Sequence, residues 1–237
     1  MSIPSSIIRV TEYYSRHGFR ATIRRAGLAV RRELFARRMV VFYCELIKGS
    51  RPLAVPDFLS IDRLRTETEL KPSDLQQMTS FWNPKLAHRN IRERFEHGAS
   101  LWLIKSGDML AGYGWTLQGR TIEPYYFPLA PDDVHLFDFH VFPQYRGRGI
   151  NPYSVAHILD NLAMNCGGRA FIEAAEWNEA QLSSLRKTPF RRMGRARSFS
   201  LFGHTLVSWA GNDTAKQIHK GTERTARVPP IERAHEQ

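Results

Sequence analysis

The spacing of apolar residues changes along this chain, and each change marks an element. Phe19, Ile23, Ala26, Val30 and Leu34 recur at helical intervals, which predicts a helix over residues 11–38, with Gly18 and Gly27 as its weak points. The run Met39–Leu46 predicts a strand. Lys48–Pro56, with two prolines, a glycine and a serine, reads as a connection. A further strand is expected over Ser60–Thr66. Pro72-Ser73-Asp74 opens a helix through Trp82, and Asn83-Pro84 caps another that runs to about His97. Ser100–Lys105 and Met109–Gln118 are apolar strands joined by the hairpin signal Ser106-Gly107-Asp108. Thr121–Asp133, rich in Pro and Tyr, reads as a loop towards a substrate. After residue 168 come a strand (Arg169–Ala175), a short helix (Trp177–Lys187) and two strands (190–203 and His204–Ala210). Residues 212–237 are polar and read as a disordered tail.

The centre of this pattern is residues 134–168. Val134–Phe142 is an apolar run, and Pro143, which cannot donate to a ladder, ends it. Gln144-Tyr145-Arg146-Gly147-Arg148-Gly149 follows. A helix then starts with Pro152 in its first turn, carries Ile158, Leu159 and Leu162 on one face, and stops at Gly167-Gly168. Strand, glycine-bearing turn and helix together suit an anion. Gly147 and Gly149 let the backbone approach it, and the free N–H groups and positive end of the helix face it. The spacing fits neither G-x-x-x-x-G-K-[ST] nor G-x-G-x-x-G, because residue 152 is proline.

At 237 residues and 42% hydrophobic, the chain is long enough for one domain with extensions or for a small two-domain protein. Its net charge of +11 is concentrated: residues 9–38 hold nine Arg against two Glu, and 186–197 hold six basic side chains and no acid. Such a balance admits nucleic acid, anionic membrane or acidic small molecules. No helix-turn-helix, zinc or RNA-binding signature is present, so nucleic acid is not expected. The basic helix either packs on the main domain with a solvated face or offers a peripheral surface to a membrane or an acidic partner. No apolar run reaches bilayer length, and the first ten residues do not read as a secretory signal. Cys44 and Cys166 form neither a disulfide framework nor a metal spacing. Buried free thiols, a cytoplasmic setting and no metal are expected.

Gln144-x-x-Gly147-x-Gly149 resembles motif A, [RQ]-x-x-G-x-[GA], of the GCN5-related N-acetyltransferases (GNAT), and the flanking Val-Phe-Pro and Tyr-Arg-Gly-Arg-Gly-Ile look like that family. Asn151-Pro152 departs from its usual Gly followed by an apolar residue. The stretch 176–190 resembles the family's late signature, in which Asn178 opens a helix. Leu185 stands where many members have a tyrosine acid, and Pro189 where they have Gly before Phe. The order of elements matches as well, over about 58–210. The resemblance implies a GNAT-like mixed, mostly antiparallel sheet with helices on both faces. It would comprise a basic helix-and-strand extension (1–55), an acetyltransferase domain (56–211) and the tail (212–237). It implies acetyl-CoA as co-substrate and direct acetyl transfer to an amine. The Val141 amide would bond the acetyl oxygen or pantetheine, and the amides of Gln144–Ile150 the pyrophosphate. Arg146 and Arg148 would add charge there, and Asn178 would lie near the pantetheine arm. Val141, Phe142, Gln144, Arg146, Gly147, Arg148, Gly149, Ile150 and Asn178 are the candidate cofactor-binding residues.

An amine acceptor is protonated at neutral pH, so a base or water chain must deprotonate it. Asp138 and His140, two apart on a strand, would share one face, with Phe137, Phe139 and Val141 on the other. The carboxylate would orient and tune the imidazole, or the two form a buried structural pair. Glu173 and Glu176 are the next candidates, Glu123 lies on the substrate loop, and with no helix tyrosine Ser183, Ser184 or water would serve as the acid. The basic segments suggest an acidic or phosphate-bearing small-molecule amine, such as a nucleotide-linked amino sugar. A non-catalytic acyl-CoA-binding module that keeps the fold is the alternative.

Overall fold

The computed structural model of the chain describes residues 37–48, 56–80, 84–122, 125–165, 167–201 and 204–211. Its strands are β1 (Arg37–Glu45), β2 (Leu59–Leu64), β3 (Ser100–Ser106), β4 (Met109–Gln118), β5 (Val134–Val141), β6 (Arg169–Ala175), β7 (Arg191–Leu201) and β8 (His204–Gly211). Its helices are α1 (Pro72–Thr79), α2 (Pro84–Glu96), α3 (Ile150–Asn165) and α4 (Glu179–Leu185). The eight strands form one sheet in the order β2-β3-β4-β5-β6-β1-β7-β8. Only β5 and β6 run parallel, which matches the expected mixed, mostly antiparallel sheet. The helix expected over 11–38 and the tail at 212–237 lie outside the described residues, except that Arg37 and Arg38 begin β1.

The sequence puts the strand expected at 39–46 ahead of a boundary near residue 55, outside the acetyltransferase domain. The structure puts it inside the sheet, between β6 and β7. Val41 and Phe42 sit in the core there, and Val41 has no exposed surface. An apolar run buried on both sides by neighbouring strands explains this position better than a detached extension does.

Alternation along the strands sends side chains to two layers. On one face α3 lays Val155, Ile158, Leu159, Leu162 and Ala163 over Val134, Leu136, Ala170, Ile172 and Ala174. On the other, α1 and α2 bring Met78 and Ile91 against Leu101, Leu103, Tyr113 and Trp115. Two polar contacts tie α1 to the β3–β4 hairpin: the Lys105 ammonium lies 2.8 Å from the buried Asp74 carboxylate, and Leu110 N–H donates to Gln77 Oε1 at 3.2 Å. The described aromatic residues of the loop after β4, Tyr125, Tyr126 and Phe127, cover the same face further along, against Phe171 and Met193. No helix among the described residues is long and apolar enough to cross a membrane.

Candidate active site

β5 and β6 are paired only at their first residues, Val134–Leu136 with Ala170–Ile172. Beyond that β5 stays bonded to β4, while β6 follows β1. The wedge that opens is lined by β5, the start of α3 and α4, and encloses about 560 Å³. Phe142 N–H donates to Ala111 O across the β4–β5 ladder. Alternation then turns the amide and carbonyl of Val141 the other way, into the wedge. The Val141 carbonyl accepts from Arg146 Nε at 3.0 Å, so the arginine closes over the strand end.

The glycine turn forms the mouth. Gly147 and Gly149 have φ of 79° and 72°, a region that other residues enter at a cost. A Cβ on Gly147 would meet nothing within 4 Å, so its open side is available to a ligand. Tyr145 and Arg146 spend their amides inside the turn, on Phe142 O at 2.9 Å and Pro143 O at 3.3 Å. The amides of Gly147, Arg148, Gly149 and Ile150 make no backbone hydrogen bond among the described residues, and they stand at the N-terminus of a sixteen-residue helix. The set of amides free to meet an anion is therefore narrower than the expected Gln144–Ile150, by the two that the turn consumes. These free donors and the open cradle fit a pyrophosphate.

Of the expected cofactor residues, Val141, Arg146, Gly147, Gly149, Ile150 and Asn178 line the wedge. Phe142, Gln144 and Arg148 do not. The Phe142 ring is buried in the α2-side core, and its backbone serves the ladder and the turn. Gln144 is exposed, and the Arg148 guanidinium stacks over Tyr145 at 5.5 Å. Asn178 is the N-cap of α4, its Oδ1 accepting from Gln181 N–H at 3.2 Å. Asn151 Nδ2 donates to Ser184 Oγ at 2.9 Å, which joins α3 to α4 across the groove. Leu185, where a tyrosine would have supplied an acid, is fully buried.

The expected geometry of the base candidates is corrected by a bulge. Tyr113 faces His140 and Trp115 faces Phe137, so Asp138 and Phe139 together oppose Gly114. Asp138 takes up the extra residue at φ 50°, which a short polar side chain tolerates best after glycine. Gly114 is needed here, because a Cβ would come within 2.5 Å of the Phe139 ring. The bulge resets the alternation. Phe137 packs on the α2 side, Phe139 and Val141 on the α3 side, so the three do not share the face assigned to them. Asp138 does not hold His140. Its Oδ2 pairs with Arg94 of α2 at 2.5 Å, and the arginine also lies over Trp115 and Phe137. His140 stacks on Tyr113 at 5.5 Å and contacts Phe142 edge-on. Burial, and after it the Arg146 guanidinium, hold its imidazole below the ordinary value of 6.5, against an upward pull from Asp138. The ring is thus neutral at neutral pH.

Glu173 lies on β6 in a cluster that sequence reasoning missed. Its Oε2 is 2.9 Å from His135 Nε2 and accepts from the Tyr125 hydroxyl at 3.2 Å. Burial, then the Glu173 charge, raises the Tyr125 phenol well above its ordinary value, so it stays a donor. Glu176 is an ion-pair partner of Arg195 at 2.9 Å, and Glu123 lies outside the described residues. Three signals were available for the missed residues: Tyr125 in the aromatic loop, His135 one strand period before Phe137, and Arg94 on the inner side of α2. None could be tied to a partner without the pairing of β4, β5 and β6.

Residues 63–187 match the model of the Acetyltransferase (GNAT) family. N-alpha-acetyltransferase RimI of Mycobacterium tuberculosis is 29% identical over 119 residues, which is 50% of this chain and 66% of that protein. Among solved structures, a GNAT-family acetyltransferase from Colwellia psychrerythraea aligns with a TM-score of 0.47 and 12% identity over 74% of this chain and 56% of its own. An IAA acetyltransferase from Bacillus cereus aligns with a TM-score of 0.44 and 15% identity over 64% and 99%. The chain therefore spans slightly less than two thirds of the RimI protein it matches.

Proposed function

The chain belongs to the acetyltransferase (GNAT) family, and from that premise we propose that it transfers an acetyl group from acetyl-CoA to a primary amine. The observation that carries this reading is the wedge between β5 and β6, open beside the Val141 amide and closed at its mouth by the free amides of Gly147–Ile150. Bound there, acetyl-CoA supplies the thioester. The turn amides and the α3 N-terminus hold its pyrophosphate. The Val141 N–H lies where it can donate to an acetyl oxygen, whose charge grows as the carbonyl is attacked.

Overall, a C–N bond forms as the C–S bond breaks; from the ammonium form two protons leave nitrogen, the first passing through a base to solvent and the second balanced by the proton that the departing sulfur gains. We assign the first proton to His140, which is neutral at neutral pH and borders the wedge. Asp138, expected to work through His140, is engaged with Arg94. Glu173, held by Tyr125 and His135, is in this reading the alternative base should His140 not serve. For the sulfur, Ser184 Oγ accepts from Asn151 and so keeps its own proton free to donate into the groove. The setting remains the cytoplasm, in keeping with the free thiol Cys44.

The similarity to RimI makes an α-amine the first acceptor to try. The test measures acetyl-CoA affinity by calorimetry and, separately, thiol release with amino-acid amides, short peptides and amino sugars. Saturable thiol release with an amine, together with the acetylated product by mass spectrometry, is expected. Tight acetyl-CoA binding with no release for any amine would favour the non-catalytic acyl-CoA-binding module.

A further inference from the structure

On the side of β5 opposite the wedge lies a second cavity, of about 210 Å³, between α1, α2 and the bulge. Its walls include Met78, Ala87, Ile91 and Tyr113, with Asn90, Arg94 and Asp138 as its polar residues. This is smaller than the roughly 300–1,000 Å³ typical of a drug-sized ligand, and suits a single compact group. Two features give it a polarity. The Arg94 charge is already met by Asp138 Oδ2 and by the faces of Trp115 and Phe137 at 5.1 and 5.5 Å. Asp138, by contrast, is 40% exposed in its side chain, and only its Oδ2 is engaged. Its Oδ1 remains as an acceptor on a residue that lines the cavity. The cavity therefore presents a mutually neutralised Arg94–Asp138 pair, with Asp138 Oδ1 as the acceptor left for a cation.

The geometry points to this cavity as the acceptor's side-chain pocket: it takes a primary amine that bears a compact hydrophobic group on the carbon next to nitrogen. This rests on the acetyl-transfer reading. The ammonium lies at Asp138 Oδ1 and the hydrophobic group rests among Met78, Ala87 and Ile91. Tyr113 is a wall of this cavity and stacks on His140, which lines the wedge, so one tyrosine ring stands between an amine seated here and the base. The strained backbone of Asp138 gains a purpose, since the bulge turns one residue into the acceptor pocket while its neighbours Phe139 and Val141 line the other side. An acidic acceptor, which the basic segments of the sequence suggested, would meet an arginine whose charge Asp138 already balances.

The test is calorimetric binding of L-leucinamide, glycinamide and L-aspartamide to the full chain saturated with CoA, which needs no turnover. Burying a leucine-sized side chain should make leucinamide bind roughly tenfold to a hundredfold tighter than glycinamide, with aspartamide no better than glycinamide. Ala87→Phe should abolish the leucinamide advantage. Asp138→Asn, which tolerates the same backbone, should weaken both neutral-side-chain amides about equally. Melting temperature and CoA affinity report whether each variant is folded. Equal binding of the three amides, or an undiminished leucinamide preference in Ala87→Phe, would overturn the pocket. Thiol release in the same samples separates the two readings. The expected binding pattern without release would sink acetyl transfer and keep the pocket, whereas release at equal rates for all amides would do the reverse. A Leu-first peptide run beside leucinamide distinguishes a peptide N-terminus from a small free amine as the source of this group.

Discussion

The first three residues of β5 and its last four belong to one strand and pair with the same neighbour, β4, yet they have opposite characters. Val134, His135 and Leu136 are buried and flanked by a strand on both sides. Just before them Asp133, with 1% of its surface exposed, accepts from Arg169 N, Nε and an Nη and from Ala130 N. That clamp locks β5 to β6 where they run parallel. Asp138 to Val141 have lost β6, contain a bulge and a positive φ, and carry the residues assigned to chemistry. Breaking a buried ion pair typically costs about 3–5 kcal/mol. A residue held at an unfavourable φ costs about 1–3 kcal/mol. The closed end therefore holds more than the open end strains against, and the strand can afford a distorted, ligand-facing half because its other half is fastened.

Substitutions at the two ends should separate turnover from stability. The largest effect is expected for His140→Ala at the open end, with turnover falling by about 10²–10⁴ while acetyl-CoA affinity stays within twofold of wild type. Because burial holds the His140 pKa low, the wild-type rate should rise with pH through a value below 6.5, and His140→Ala should lose that limb. The same depression means that the unfolded state takes up the proton first, so this residue subtracts stability as pH falls below about 6.5. A pH–rate profile unchanged by the substitution would move the base to Glu173. At the closed end, Asp133→Ala should cost about 3–5 kcal/mol and lower the melting temperature by about 10 °C, with turnover per folded site retained. A large loss of turnover per site there would erase the distinction between the two ends.

Smaller effects refine the open end. Gly147→Val should weaken acetyl-CoA binding about tenfold, measured by titration, because a branched residue resists a φ of 79° and covers the cradle. Affinity unchanged in a folded variant would remove the turn from the site. Asn178→Ala should cost about 1 kcal/mol of stability through the lost cap on α4, read by chemical denaturation, with a modest rise in the KM for acetyl-CoA.

How much of this the sequence showed depended on how local the cause was. The β3–β4 hairpin was legible because Ser106-Gly107-Asp108 carries its own turn, with Gly107 at φ 59°. The mouth of the wedge was legible because the glycine turn and the helix start are contiguous. The bulge was hidden: two-residue alternation assumes a regular strand, and only the register against β4 shows that Asp138 and Phe139 share one partner. For the same reason Asp138 was assigned to His140, although Arg94 lies 44 residues earlier on α2. The Glu173–His135–Tyr125 cluster joins two strands and a loop, and no spacing along the chain could have united them.

The place of β1 has a consequence for how the molecule comes into being. Met39 pairs with Ala175 and Arg37 with Ser198, so β1 waits for partners made more than a hundred residues later. Contacts of such long range slow folding, because a long loop must close before any bond rewards it. Until β6 and β7 emerge from synthesis, an apolar strand that ends up at the heart of the sheet has no edge to join. The same closure draws β6 towards β1 and away from the end of β5. The gap proposed to take acetyl-CoA is therefore completed by a late event, and a nascent chain stalled before residue 191 would hold every glycine of the turn yet lack a finished sheet behind it.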